Sequence, residues 1–573
     1  MNTGARTNSA IIAPEDSGEF ARRQSHRQRA RAKWAADHPK RPDMTWRDHL
    51  LMLLSFGATV EHCLMVQYLY AAYSLRIDEP DKDRRKMIER WRADIIAVAR
   101  EEMGHLLTVQ NLRLLLGSTV DIGRDSSPWA REYYPYPFTL EPVSLLSLSC
   151  FVYAEAPSFD ASDTDFCEDD RAIVKNEVLP KLHEYFGSTF KSDVHRVGEL
   201  YEEIIDLIAD RSNIPDEMFD ESSYEFQASW DEWGRGYKAP PRQLDAEGNP
   251  LGDNLKPEDD KKKSGNDKQK SGKDKKKLAD DERDERQAAH DGIVQIDRMA
   301  TRADALKALK ALAAQGEAPH LRNPLLPDSK DEVSHFKRFL RIYQEFKDEQ
   351  GKDPSWLPAA GIPANPITLT GFMAATASAT GHGAESPAAG QPVAQLAGQG
   401  GGQPIVISGK SAGHLAQLFN QRYRLLLNYL AHSFRISRSE RVDRPNLRAM
   451  IMHRVFGEMY NLKTISGLLV RLPRSDNGRD DERAAPPFEL PYTLTLPDRD
   501  VDMWRRHENL LAASQKICMA LLADADPSKS RNPNAAKYQH ELACTGADAY
   551  LHTLLQLDTQ ARDWMNRIIA AEA

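Results

Sequence analysis

The sequence predicts an all-α fold: a helical bundle with additional C-terminal helices and long disordered insertions. Three observations predict it. Apolar residues recur at three- and four-residue steps through nearly every foldable segment, strand-like alternation is scarce, and two polar low-complexity stretches interrupt the pattern. At roughly 100–200 residues per domain, 573 residues could hold two to four domains. The periodic segments instead read as one large bundle over 44–346, a loop over 347–413, helices over 414–491 and a helical extension over 492–573.

The first forty-three residues run through Arg22, Arg23, Arg27, Arg29, Arg31 and Lys33 with no apolar leader core, which predicts a disordered basic tail and no secretory signal. A net charge of −9 gives no reason to expect nucleic acid as a partner. Five scattered cysteines without a CxxC pair argue against a disulfide framework and against a zinc knuckle, and so for the reducing cytoplasm. Leu50 to Leu75 is apolar enough to resemble a membrane span, but Glu61, His62 and Gln67 lie near its middle. An ionisable group at a bilayer centre costs ~3 kcal/mol, so a buried helix and no membrane association are expected.

Thr45 with Asp48 forms a capping-box pattern that opens the first helix, which should run to about Leu75. On it Leu54, Ala58, Glu61, Met65, Tyr68 and Ala72 share one face. A second helix should run from about Asp83 to Leu116 and stop at Gly117. Its stripe is Ile95, Val98, Glu102, His105, Val109 and Leu112, so two ionisable groups interrupt an apolar seam. Further on, Leu306, Leu309, Ala313 and Glu317 are in phase. Lys256 to Gln287 carries almost no apolar side chain and reads as a disordered insertion, and 371–413 reads as a Gly/Ala-rich loop. Phe419, Tyr423, Leu426, Leu430 and Phe434 form one later stripe and Ala449 to Leu472 another helix. His453 and Glu458 there do not share a face and read as structural. Helices near Val501–Asp524 and Lys537–Ala571 should pack on the bundle or on another subunit.

A carboxylate in an apolar seam must be paired, protonated or bound to metal. Glu102 and His105, at i and i+3, project side by side towards a helix that carries Glu61, and Glu-x-x-His facing such a Glu is how dimetal bundles assemble their ligands. For the second half of such a site the residues leave choices open. Glu317 is followed by His320, but Pro319 should break the helix between them, and His335 in SHFKRF is the other imidazole. For the remaining carboxylate, Glu199 lies opposite the apolar face of its own helix (Leu200, Tyr201, Ile204, Ile205, Ile208), and Glu155, at the end of a helix starting at Ser144, is the substitute. Tyr68, two turns from Glu61, reads as core, with a secondary reading as a hydrogen bonder to the site or a radical site.

The segments VEHCLMVQYLYAAYSL, AREEMGHLLTVQNLRLLLG, YYPYPFTLEP, CFVYAEAP, VGELYEEI, AAQGEAPH with SHFKRF, FNQRYRLLLNYL and APPFELP resemble, in this order, the ferritin-like domain of the iminophenyl-pyruvate dimer synthase type, over roughly Met44 to Pro491. The resemblance implies a ferritin-like four-helix bundle and a metal ligand set of Glu61, Glu102, His105, Glu199, Glu317 and His335. Within that set Glu61 and Glu199 would be terminal, Glu102 and Glu317 bridging, and His105 and His335 would bind one ion each. Four carboxylates and two imidazoles suit two metal ions, iron first and manganese as the alternative, and are too rich in carboxylate for structural zinc. The implied activity is a dioxygen- or peroxide-using oxidoreductase on a small amino-acid-derived, 2-oxo or imino acid, with a non-catalytic metal-binding or interaction scaffold as the alternative. Further partners, a second copy or another protein, would dock on the C-terminal helices. Two departures stand out: Cys63-Leu64-Met65-Val66-Gln67 replaces the proline-bearing stretch usual after the first glutamate, which predicts a straight helix, and Ala314 stands where relatives carry a second glutamate.

Overall fold

The computed structural model describes residues 40, 43–76, 78–124, 136, 138–157, 166–190, 197–230, 232–233, 294–316, 334–359, 361–370, 405–438, 446–479, 481–490, 494, 496–528, 530 and 533–572. The basic tail expected over 1–43, apart from residues 40 and 43, and the charged insertion expected over 256–287 lie outside these residues, as do Glu317 and His320.

Helix α1, Trp46–Ser74, begins where expected. The Thr45 hydroxyl accepts from the Asp48 amide at 3.1 Å and the Asp48 carboxylate accepts from the Thr45 amide at 3.2 Å, which satisfies two of the donors a helix start leaves open. The helix is unbroken through Cys63–Gln67, as the absence of proline predicts. By length and composition it could cross a membrane, yet most of its apolar window is buried inside the protein. Helix α2, Lys82–Leu115, is capped by Asp81 and ends at Gly117, whose φ of +66° is the left-handed conformation glycine adopts freely. The two helices pack along their length.

Around this pair lie α3 (Leu145–Ala154), α4 (Glu168–Ile173), which continues through the π-turn Val174–Val178 into α5 (Leu179–Phe186), α6 (Val197–Ala209), α7 (Arg302–Gln315) and α8 (His335–Lys352). Helix α8 packs on α3, α6 packs on α1 and α7, and α2 touches both α7 and α8, so three flanking helices, α6, α7 and α8, lie against α1 and α2. An aromatic wedge of Tyr68, Phe151 and Phe339, with ring centroids 4.7–5.3 Å apart, fixes α1, α3 and α8 relative to one another. Each such ring pair contributes ~1 kcal/mol beyond the area it buries.

The C-terminal part consists of α9 (Lys410–Ser433), α10 (Leu447–Leu469), α11 (Asp500–Asp524), α12 (Ala535–Thr545) and α13 (Ala547–Glu572). Helix α9 packs on α10 and α11, and α11 on α13. One apolar core runs through both parts. Two expectations need correction. The loop expected over 371–413 ends early, because Ile405–Ile407 form strand β2, which pairs in parallel with β1 (Pro366–Thr368), and α9 starts at Lys410. The single last helix expected near Lys537–Ala571 is two, because Gly546 takes φ +79° and closes α12 with a left-handed cap before α13 begins.

Candidate metal centre

Five buried ionisable side chains from four helices converge at the centre of the N-terminal bundle. Glu61 comes from the middle of α1, Glu102 and His105 from the middle of α2, Glu155 from the residue that closes α3, and His335 from the first residue of α8. All five have 0 % relative exposure. Candidate ligand atoms of Glu61, Glu102 and His105 lie within 4.8 Å of one another, and those of Glu102, Glu155 and His335 do so as well. Glu102 belongs to both groups through different oxygens. Its Oε2 is 2.9 Å from His105 Nδ1, and its Oε1 is 3.1 Å from His335 Nδ1.

The two flanking carboxylates are arranged alike. Glu61 Oε1 accepts from the Tyr201 hydroxyl while Oε2 faces His105 Nδ1 at 3.4 Å. Glu155 Oε1 accepts from the Tyr68 hydroxyl while Oε2 faces His335 Nδ1 at 3.5 Å. The imidazole rings stack at 5.6 Å between centroids, 26° from parallel. On each side of Glu102, therefore, one carboxylate oxygen is held by a phenol and its partner points inward with an imidazole nitrogen.

The outer imidazole nitrogens are oriented from behind. His335 Nε2 is 2.7 Å from Glu101 Oε2, and Glu101 Oε1 accepts from Arg338 at 2.8 Å. A carboxylate only accepts, so His335 carries a proton on Nε2, and when the ring is neutral it is Nδ1 that presents a lone pair to the cluster, the arrangement that orients metal-binding histidines. His105 Nε2 lies 3.2 Å from Gln315 Oε1 and is fixed in the same way. Gly316, next in the chain, leaves the space between the rings open: a Cβ there would stand 3.2 Å from both His105 Cε1 and His335 Nδ1.

Electrostatics are severe without a counter-ion. Burial pushes the Glu61 carboxyl up to about 8, against the opposing pull of His105. Burial and the Glu102 charge push Glu155 up as well. Glu102 sits between two imidazoles that hold its carboxyl below the usual range despite burial. Against their own burial, Glu61 and Glu102 pull His105 up to about 10, and Glu102 and Glu155 pull His335 upward too. Glu61 Oε2, Glu102 Oε1, Glu155 Oε2 and His335 Nδ1 are buried and make no hydrogen bond. Such orphans cost ~1–3 kcal/mol each when neutral and more when charged. That all four belong to one cluster is the observation that tests whether metal fits here. It does, because cations would replace the missing donors at three oxygens and use the lone pair on the nitrogen, and a mixed set of carboxylates and imidazoles suits divalent transition metals.

The structure thus brings together Glu61, Glu102, His105 and His335 of the six residues expected as ligands. Glu199, half-buried at the start of α6, belongs to neither group of candidate ligands among the described residues, and the α6 side chain that reaches the cluster is Tyr201, through its hydroxyl on Glu61. Glu155, the substitute, occupies the fourth position. Glu317 lies outside the described residues, although Gln315 and Gly316 immediately before it border the cluster. The secondary reading of Tyr68 as a hydrogen bonder holds. Tyr201, Glu101 and Gln315 were not singled out from sequence. A tyrosine in a stripe of leucines and isoleucines carries no mark of its hydroxyl's use, whereas Glu101, buried and adjacent to Glu102, could have been found as a second polar residue in the same seam.

Residues 54–262 match the family model described as Ferritin-like, a likeness consistent with the all-α fold described above. The matched stretch contains Glu61, Glu102, His105 and Glu155, while His335 lies beyond it. No curated protein and no solved structure matches the chain.

Proposed function

We propose that this cluster is a two-metal carboxylate centre, iron in the first place and manganese as the alternative, and that the protein is an oxidoreductase using dioxygen or peroxide on a small amino-acid-derived, 2-oxo or imino acid, as enzymes of the iminophenyl-pyruvate dimer synthase type do. The observation that carries the reading is the division of Glu102, one oxygen to each of two Glu–His pairs whose free atoms point inward. In this reading Glu102 bridges, Glu61 with His105 holds one ion, and Glu155 with His335 holds the other. Two redox-active ions supply the electrons that dioxygen chemistry requires.

The remaining roles belong to the protein. Tyr201 and Tyr68 fix one oxygen of each terminal carboxylate, which leaves the other in a single orientation. Glu101 accepts from His335 Nε2, and Arg338 donates to the other Glu101 oxygen and holds it in place. The aromatic wedge behind Tyr68 excludes water from that side. Protein purified without chelator should hold about two Fe or Mn ions per chain, falling to a small fraction in Glu102→Ala. A metal-free wild type overturns the reading. Consumption of dioxygen by the reduced, metal-loaded protein in the presence of a candidate 2-oxo or imino acid separates an enzyme from a metal-binding scaffold.

A further inference from the structure

A cavity of about 190 Å³ lies between the N-terminal bundle and the C-terminal helices. It shares no lining residue with the metal cluster. Its inner walls are Met65 and Leu69 of α1, Met103 of α2, Leu426 of α9, Phe456 of α10 and the ring of Phe488. Its outer end is lined by Tyr73, Arg100, Tyr460 and Lys463, and it reaches the surface there, since Arg100 and Lys463 are exposed and Tyr460 is 39 % exposed. An apolar cavity of ~150 Å³ stays dry and takes up benzene, so this one has room for a ring or a short alkyl chain.

Three features distinguish it from a packing defect. The first is backbone conformation: Phe488 takes φ +49°, one of two positive-φ residues other than glycine among those described. Such a residue costs ~1–3 kcal/mol and persists only where its surroundings enforce it. Here Arg124 donates to the Phe488 carbonyl and Asn420 accepts from the Glu489 amide at 3.0 Å, which turns the ring into the cavity wall beside Phe419 and Tyr423. The second is side-chain choice, since Met65, Met103 and Met459 line the cavity, and flexible thioethers adapt to ligands of varied shape. The third is charge. Arg92 does not line the cavity itself but stands one turn before Ile96, which does; it is half-buried, forms no ion pair among the described residues and leaves its Nε without a hydrogen-bond partner. It stands with Arg100 in the field of the Tyr73 hydroxyl, and Arg471 is near it. Cations thus gather at one end of a cavity whose other end is apolar, and an unpaired half-buried guanidinium is the group most in need of an anion.

We propose that this cavity is a binding site for a small amphipathic monoanion, an acid with an apolar body of about eight carbons. The body lies among Met65, Met103, Leu426, Phe456 and Phe488, and the carboxylate sits at the outer end with Arg92, Arg100 and Lys463. The site is independent of the metal reading, although its inner wall adjoins the turns that carry Glu61 and Glu102.

Isothermal titration of the full-length protein with octanoate and with 1-octanol tests it. Octanoate should bind saturably at one site per chain and at least tenfold more tightly than the alcohol. Lys463→Ala and Arg92→Ala should each weaken octanoate by about tenfold, the scale of one charge-assisted contact, and leave the alcohol within twofold. Leu426→Trp should abolish both, with Leu69→Trp as the second filling variant if the first loses its helical circular dichroism. Chelator-treated protein and Glu102→Ala should bind octanoate as wild type does, so failure of the metal reading leaves this site standing. Absence of saturable octanoate binding, equal affinity for acid and alcohol, or binding unaffected by a folded filling variant overturns the proposal.

Discussion

Two of the buried polar clusters among the described residues balance charge in opposite ways. In the N-terminal bundle, Glu61, Glu102 and Glu155 face one another across two imidazoles, with inward atoms that no protein group satisfies. Among the C-terminal helices, Arg422 is equally buried but donates to Glu458 at 3.0 Å and to Asp558, while Asn461 and Ser514 supply further donors at 3.0 and 3.2 Å to the same two carboxylates. The first cluster is closed only by adding cations, whereas the second carries its cation in the chain. Histidines record the same difference. Carboxylates pull His105 up to about 10, whereas burial, with Arg435 nearby, pushes His432 down to about 3, and burial beside His432 and Arg506 lowers His507. Both clusters leave single atoms without a hydrogen-bond partner, Arg422 Nε and His432 Nε2 among them on the C-terminal side, so the difference lies in where the cation comes from: a cluster of carboxylates with no guanidinium or ammonium among them is a candidate ligand site, and one built around a buried arginine is structural.

Breaking the closed cluster should produce the largest loss of stability. Arg422→Met strands Glu458 and Asp558 without their cation, at a cost of ~3–5 kcal/mol. Urea unfolding of metal-free protein should show this drop, and the metal content of the folded variant should match wild type. Glu102→Gln should give a different pattern, with metal lost and the metal-free protein destabilised by less than Arg422→Met, because Glu61 and Glu155 still face the two imidazoles when the Glu102 charge is gone. If Arg422→Met loses metal, or if Glu102→Gln unfolds the apo-protein, the two clusters are not separable as described.

Gly104 should be next in size. It lies between Glu102 and His105, where a Cβ would stand 2.7 Å from Val294 Cγ1 and 3.0 Å from the Gln295 carbonyl oxygen. Residues 294–299 cross α2 at this point, held by Thr108 to the Gln295 carbonyl at 3.3 Å and by Asn111 to the Asp297 carbonyl at 2.9 Å. Gly104→Ala must push that segment away, at ~1–3 kcal/mol for overpacking, and should lower the melting temperature. Gly316→Ala crowds the two imidazoles instead, and should cut metal occupancy with a smaller change in melting temperature.

How much of this was legible depends on whether the signal is local. The capping pairs Thr45–Asp48 and Ser144–Ser147 span three residues and mark the starts of α1 and α3 directly. Glu61, Glu102 and His105 were readable because each interrupts an apolar stripe in phase. Glu155 stayed an alternative because it follows the last turn of α3, where periodicity no longer specifies a direction. Arg422 could not be read as the centre of a triad, since Glu458 and Asp558 lie on other helices and no spacing along the chain announces them. The same holds for Arg92 beside Tyr73. Fold class is written in local pattern, while pairing across helices is written only in the packing.

The acid limb of stability gives a smaller test, and it belongs to the closed side. His432 and His507 stack beside Trp504, 2.9 Å apart through Nδ1 and Nε2, and both are neutral in the fold. Their folded pKa values lie below the ordinary value near 6.5, so the unfolded chain binds more protons as pH falls below that value. The stability they contribute is complete above pH ~6.5 and drains away towards pH ~3, at up to ~1.4 kcal/mol per pH unit for each histidine. Replacing His432 by Phe removes one titrating group, and the slope of unfolding free energy between pH 6 and 4 should flatten by up to that amount in chelator-treated protein. An unchanged slope would place the acid sensitivity in the metal cluster instead.

The smallest effect tests the phenols. Tyr201→Phe and Tyr68→Phe each remove one hydroxyl donor to a terminal carboxylate and leave the ring packing intact. Each should cost ~1 kcal/mol of stability, the ordinary worth of a buried hydrogen bond, in metal-loaded protein. If the hydroxyls serve chiefly to orient Glu61 and Glu155, metal should still load and its rate of removal by chelator should rise several-fold, because a carboxylate released from its phenol can rotate away from the ion. The corresponding variant at the closed cluster, Tyr550→Phe, breaks a 3.0 Å bond to Asn461 and should leave that rate untouched. A chelation rate that responds equally to all three would mean that the phenols act through general loosening of the core and do not position the ligands.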